Sequence, residues 1–165
     1  MMLVVAAAAL WLAAAAIHLD VPLVRQAPER CGPAALTMVL RFYGADAVAV
    51  AEADRAYDRA IRGALITDLR DAATRAGYPA TVETPGEDSL AVLLGQGVPP
   101  IVLYESGVGP IARGHYGVIA GWDPVRRVYL VNDGGSRPRT IDAGELGRRW
   151  RAAGGQALVV RRKRT

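Results

Sequence analysis

One cysteine, Cys31, and two histidines, His18 and His115, are the only thiol and imidazoles in this chain of 165 residues. A single thiol cannot close an internal disulfide, and an unpaired cysteine with no partner is a flag for reactivity. Two histidines and one cysteine are also too few for a zinc site of the usual Cys/His type. The chemistry left open is nucleophilic: a thiolate activated by an imidazole, attacking a carbonyl. Cys31 is followed by Gly32-Pro33, and Ala34, Leu36, Met38, Val39, Leu40 and Phe42 then supply a helical apolar stripe until Gly44. Cys31 therefore opens a helix, where the free N–H groups and the positive end of the dipole favour thiolate over thiol. An isolated cysteine at such a place would more often be packing, so the case rests on its neighbours.

Gly32 keeps side-chain bulk away from the sulfur, and Pro33 fixes the first helical turn. Gln26 lies five residues upstream on an extended segment, DVPLVRQAPER. Its amide NH2 is placed to stabilise a developing oxyanion just outside the helix N-terminus, with the backbone N–H of Cys31 as the second donor. His115 begins the apolar run HYGVIAGW. It is the sole candidate in the domain proper to take a proton from Cys31. That run and RVYLV (127–131) flank Asp123-Pro124-Val125-Arg126, a hairpin turn. If Trp122 pairs with Arg126, His115 lies opposite Asp133; if Trp122 pairs with Arg127, Asn132 comes closer. Either could accept the ring N–H and fix its tautomer.

These elements need a frame, and the chain supplies one of α+β type. Helices are expected over 31–44, over Val48–Arg59, and after Thr67, which would cap a helix with Leu69, Ala72, Ala73 and Ala76 inside and Gly77 closing it. Short strands are expected over Pro79–Glu83, Pro100–Tyr104, His115–Trp122, Arg127–Val131 and Gln156–Arg161, with helices about Ser89–Leu94 and Ala143–Arg151. Helices first and antiparallel strands after them give a helical half packed on a sheet.

Residues 1–17, MMLVVAAAALWLAAAAI, carry no charge and form an export signal or a membrane anchor. Ala14-Ala15-Ala16 supplies the small residues for cleavage after Ala16. Residues 18–165 then form one domain, exported to the periplasm or the outside and held at the membrane if the segment stays uncleaved. The net charge of +4 is carried by scattered Arg, with one dense cluster at Arg161-Arg162-Lys163-Arg164. No aromatic residues interleave with these charges, so nucleic acid is not an expected partner.

Taken together, QAPERCGPAAL, GHYGVIAGWD and VYLVNDGG resemble peptidase family thirty-nine of the papain-like cysteine clan, whose best-known members trim double-glycine leader peptides from bacteriocin precursors. The resemblance runs from Val21 to Val160. It implies a papain-like fold and a cysteine peptidase that needs no cofactor and acts on a peptide or protein. It makes Cys31 the nucleophile, His115 the base, Asp133 the orienting acid and Gln26 the oxyanion-hole side chain. A transpeptidase or amidase would use the same residues, and a non-catalytic peptide-binding module of this fold would characteristically lack the nucleophile. The family's Asp-Pro after the second strand is here Asp133-Gly134, and export would set the enzyme across the membrane from cytoplasmic leader trimming.

Overall fold

The computed structural model describes residues 15–86, 88–107, 109 and 113–163. Most of the apolar N-terminal run, residues 1–14, lies outside them, as does Arg164 of the basic cluster. The described chain starts with a two-residue strand, β1 (Ile17–His18), and an extended lead-in that reaches α1 (Cys31–Phe42). Pro33 sits in the first turn of α1, and Leu36, Met38, Val39 and Leu40 are buried. Truncating Leu36, Met38 or Leu40 to alanine would cost about 2–5 kcal/mol. Gly44, at φ 77°, ends the helix as its sequence position predicts.

The single helix expected over Val48–Arg59 is instead two short pieces. α2 (Ala47–Ala51) is capped by Asp46, whose side chain accepts from the Ala49 N–H at 2.8 Å, and a 3-10 turn follows over Glu52–Ala56. Only Ala49, Ala53 and Ala56 are buried here. Such small contacts let the backbone tighten against its neighbours, whereas a full helix would need a wider apolar stripe to hold it. The next helix, α3 (Ile66–Arg75), starts two residues earlier than a Thr67 cap would allow. Leu65 is the extended residue before it, and no side chain caps it. Leu69, Ala72, Ala73 and Ala76 face inward and Gly77 follows at φ 83°, as expected.

The remaining elements are β2 (Ala80–Glu83), α4 (Asp88–Gly95), β3 (Ile101–Ser106), β4 (Arg113–Asp123), β5 (Val128–Asn132), β6 (Arg139–Asp142), α5 (Ala143–Ala152) and β7 (Ala157–Val160). Among the described residues they form one antiparallel sheet in the order β2-β7-β3-β4-β5-β6, with β1 added along β4. The long central strand, β4, carries the alternation that builds both cores. Tyr116, Val118 and Ala120 join the cluster under α1 and α3, while Ile119 joins Leu90, Tyr104, Leu146 and Trp150 in a second cluster beneath α4 and α5. Strands β1 and β6 are too short for alternation to announce them in the sequence.

The β4–β5 hairpin has neither of the two expected registers. Asp123 pairs with Val128 and Trp122 with Tyr129, leaving a four-residue loop over 124–127. Asp123 sets this turn: its Oδ1 accepts from the N–H groups of Val125 and Arg126, and Arg127 closes the loop at φ 53°. The register then slips between Ile119 and Gly121, so that Val118 faces Asn132. A bulge of this kind re-aims every side chain beyond it.

Candidate active site

Cys31 is the first residue of α1. Arg30 precedes it without a side-chain cap, and no acidic residue stands in the first turn. The helix thus keeps its N-terminal N–H groups and its dipole free for the sulfur. Burial pushes the Cys31 thiol pKa up, but a hydrogen bond from His115, the backbone N–H groups of Tyr116 and Gly32, and the imidazolium charge outweigh it and hold the thiol below its ordinary value. For His115 the same pair acts in reverse. Burial disfavours the imidazolium, yet the bond to Cys31, the Asp133 carbonyl and the negative charges of Cys31 and Asp133 raise its pKa above the ordinary value. Each group stabilises the charged form of the other, the electrostatic signature of a thiolate–imidazolium pair.

His115 stands near the start of β4, paired with Tyr104 on β3, and the two rings meet edge-on with centroids 5.7 Å apart. Its Nε2–H donates to the main-chain oxygen of Asp133 at 3.0 Å, which leaves Nδ1 for Cys31. Asp133 is therefore at the ring, but through its carbonyl. The expected contact was the carboxylate, and the slipped register explains the difference: with Val118 opposite Asn132, Asp133 lies diagonally from His115 and not across from it. Its carboxylate turns instead to Arg139 on β6, with Oδ2 accepting from Nη1 at 3.0 Å. Asn132, the other candidate, is 2% exposed and donates its Nδ2 to the Val21 carbonyl at 2.9 Å, fastening the lead-in to the sheet.

Gln26 lines the same cavity of about 700 Å³ as Cys31, His115 and Tyr116. Its Oε1 is buried and makes no internal hydrogen bond. The lead-in is pinned there by the Gln26 N–H, which donates to the Gly134 carbonyl at 3.4 Å. Gly134 has φ 86°, and a Cβ on it would come within 2.7 Å of the Gln26 side chain. The Asp133-Gly134 step thus has a local cause: only glycine leaves room for Gln26 at that backbone angle. Sequence reasoning missed three contributors, namely Arg139, the ring of Tyr104 and the Tyr116 N–H. The first sits on a four-residue strand and the other two act through sheet pairing, so no local pattern marks them. His18, on β1, pairs with Gly121 far along β4 from His115. No group of His, Cys, Asp and Glu able to hold a metal occurs among the described residues.

The model of the Peptidase_C39 like family matches residues 18–158. No curated protein matches the chain. Among solved structures, a C39-like peptidase from Bacillus anthracis superposes with a TM-score of 0.74 at 15% identity, covering 92% of this chain and 100% of that one. A double-glycine-motif protease from an AMS/PCAT transporter, solved with its leader peptide, gives 0.65 at 20% identity over 87% and 92%. The peptidase domain of Streptococcus ComA, a bifunctional ABC transporter of a quorum-sensing pathway, gives 0.68 at 19% identity over 87% and 99%. At these identities the superpositions speak to the fold, which is the α+β, papain-like one expected from the sequence.

Proposed function

The chain belongs to the Peptidase_C39 like family, and we propose that it hydrolyses peptide bonds with Cys31 as nucleophile and His115 as general acid and base. The observation that carries this reading is the placement of Cys31 at the uncapped N-terminus of α1 in one cavity with His115, whose ring is held by the Asp133 carbonyl, with thiol and imidazole each shifted towards the charged form. In this mechanism the thiolate adds to the scissile carbonyl and the carbonyl oxygen becomes an oxyanion. The Cys31 N–H and the Gln26 amide NH2 donate to it. His115 gives its Nδ1 proton to the leaving amine as the C–N bond breaks, leaving an S-acyl enzyme. The neutral imidazole then takes a proton from water, and hydroxide addition releases the acid and restores the thiolate. Asp133 keeps the ring oriented through its carbonyl and adds negative charge beside the imidazolium.

Export belongs to the same proposal. Ile17, the residue that follows a cleavage after Ala16, pairs with Trp122 and packs on the second core, so the described fold already holds the start of the cleaved chain. The test of the peptidase reading is digestion of a peptide library by the purified protein and by Cys31→Ala. Cleavage by the first and none by the second supports it, and cleavage that survives in Cys31→Ala sinks it.

A further inference from the structure

Only three non-glycine residues among those described have φ in the left-handed region, and two of them, Glu29 (φ 65°) and Arg62 (φ 52°), are ion-paired to each other on the wall of the Cys31 cavity. A side-chain-bearing residue at such an angle costs of order 1 kcal/mol or more and is kept where its direction is used. Glu29 lies two residues before Cys31. Arg62 lies on a tight hairpin closed by the Asp58–Gly63 bridge. The two segments are tied further by Tyr57, whose hydroxyl donates to Glu29 Oε2 at 3.3 Å and whose ring lies under the Arg30 guanidinium at 4.2 Å. A second guanidinium, Arg113, lines the same cavity from the start of β4 and makes no ion pair among the described residues. The wall therefore holds two fixed positive charges against one carboxylate, beside a Cys–His pair that is neutral overall. Glu29 is held below the usual carboxylate range, first by its hydrogen bond from Arg62 and in smaller part by the field of Arg113, so it remains an anion at neutral pH.

We propose that Arg62 and Arg113 form a substrate subsite for a carboxylate side chain lying within a residue or two of the scissile bond, with Glu29 as the resident counter-ion that aims Arg62. The consequence is a preference for peptides carrying Asp or Glu next to the cleavage point over their amide or lysine counterparts. Bidentate pairing with a carboxylate is the geometry guanidinium groups provide and ammonium groups do not. This specificity rests on the peptidase reading above, so its test is chosen to need no turnover.

The experiment compares second-order alkylation rates of Cys31 by iodoacetate and iodoacetamide, reagents of similar size that differ by one negative charge. The positive charge of His115 attracts iodoacetate in every variant, and taking the ratio relative to wild type removes its contribution. Neutralising a cation several ångströms from the sulfur is expected to lower the iodoacetate/iodoacetamide ratio roughly twofold to fivefold in Arg113→Gln and in Arg62→Gln at low salt. Glu29→Gln should raise it by a similar factor, and all three differences should shrink at 0.5 M salt. A ratio unchanged in both arginine variants, or lowered by Glu29→Gln, overturns the subsite even if peptide hydrolysis is demonstrated. Conversely, the predicted pattern in a protein that cleaves no peptide would leave the anion site standing and remove the peptidase reading.

Discussion

The two halves of the site are built by different physics. Cys31 is placed by its own neighbourhood: Pro33 sets the first turn, the apolar stripe from Leu36 to Leu40 holds α1 down, and the sulfur takes the free end of that helix. His115 and Asp133 are placed by strand pairing across a hairpin with a register shift, so their meeting depends on residues 118–131 that never touch the site. The lesson of the contrast is that a helix end delivers a reactive group locally, whereas a sheet delivers one through register. A single-residue slip changes which atom of Asp133 meets the ring. The two reacting groups, Cys31 and His115, should therefore fail all at once on mutation, and the residues that only position them by degrees.

The sharpest form of that contrast is Cys31→Ala, expected to reduce kcat/KM on the order of 10⁴-fold or more while the circular dichroism spectrum and the melting temperature stay close to wild type. His115→Ala should match it in activity. It removes the hydrogen bond and positive charge that pull the Cys31 thiol down, so the acid limb of thiol reactivity moves to higher pH. If His115→Ala kept the wild-type acid limb, the sheet side would contribute nothing to the thiolate.

Gln26→Ala comes next, with kcat lower by about 10²–10³ and alkylation of Cys31 unaltered, since an oxyanion donor is lost and the nucleophile is not. Gly134→Ala tests the seam between the two halves. Its Cβ would strike the Gln26 side chain at a backbone angle of φ 86°. The expected outcome is a kcat loss approaching that of Gln26→Ala, with about 1–2 kcal/mol of destabilisation by chemical denaturation. A silent Gly134→Ala would show that Gln26 is free to move without cost.

The smallest effects belong to the Asp133 side chain. Because the carbonyl of Asp133 holds the ring, Asp133→Asn keeps the orienting hydrogen bond and removes only a charge that raises the His115 pKa. The alkaline limb of kcat/KM should move to lower pH, with a loss at the optimum of about tenfold or less. Arg139→Gln takes the half-exposed guanidinium away from the Asp133 carboxylate, itself 10% exposed, and leaves that charge less screened from the ring. Its effect should be smaller still, and towards a higher alkaline limb. A Asp133→Asn loss as large as that of His115→Ala would mean that the carboxylate turns to the ring during turnover.

This grading also explains what could be read from the sequence. The α1 start, the lead-in with Gln26, the end of α3 at Gly77 and the strands 80–83, 101–106 and 157–160 all rest on local signals, and they lie where those signals put them within a residue or two. The Val48–Arg59 stretch was misread because its buried face is three alanines, which pack equally well in a 3-10 turn. The hairpin register could not be read at all: Asp123 caps its own loop and the shift at 119–121 is set by pairing with β5. The contact of His115 with a main-chain oxygen follows from that shift, and no side-chain pattern encodes it.

The central claim is that Cys31 and His115 form a reactive ion pair, and the pH dependence of Cys31 alkylation by iodoacetamide tests it without a known substrate. The wild-type rate is expected to stay high well below the ordinary thiol pKa near 8.5, and this acid shoulder to disappear in His115→Ala. A wild-type profile that rises only through pH 8–9, and coincides with that of His115→Ala, would contradict it.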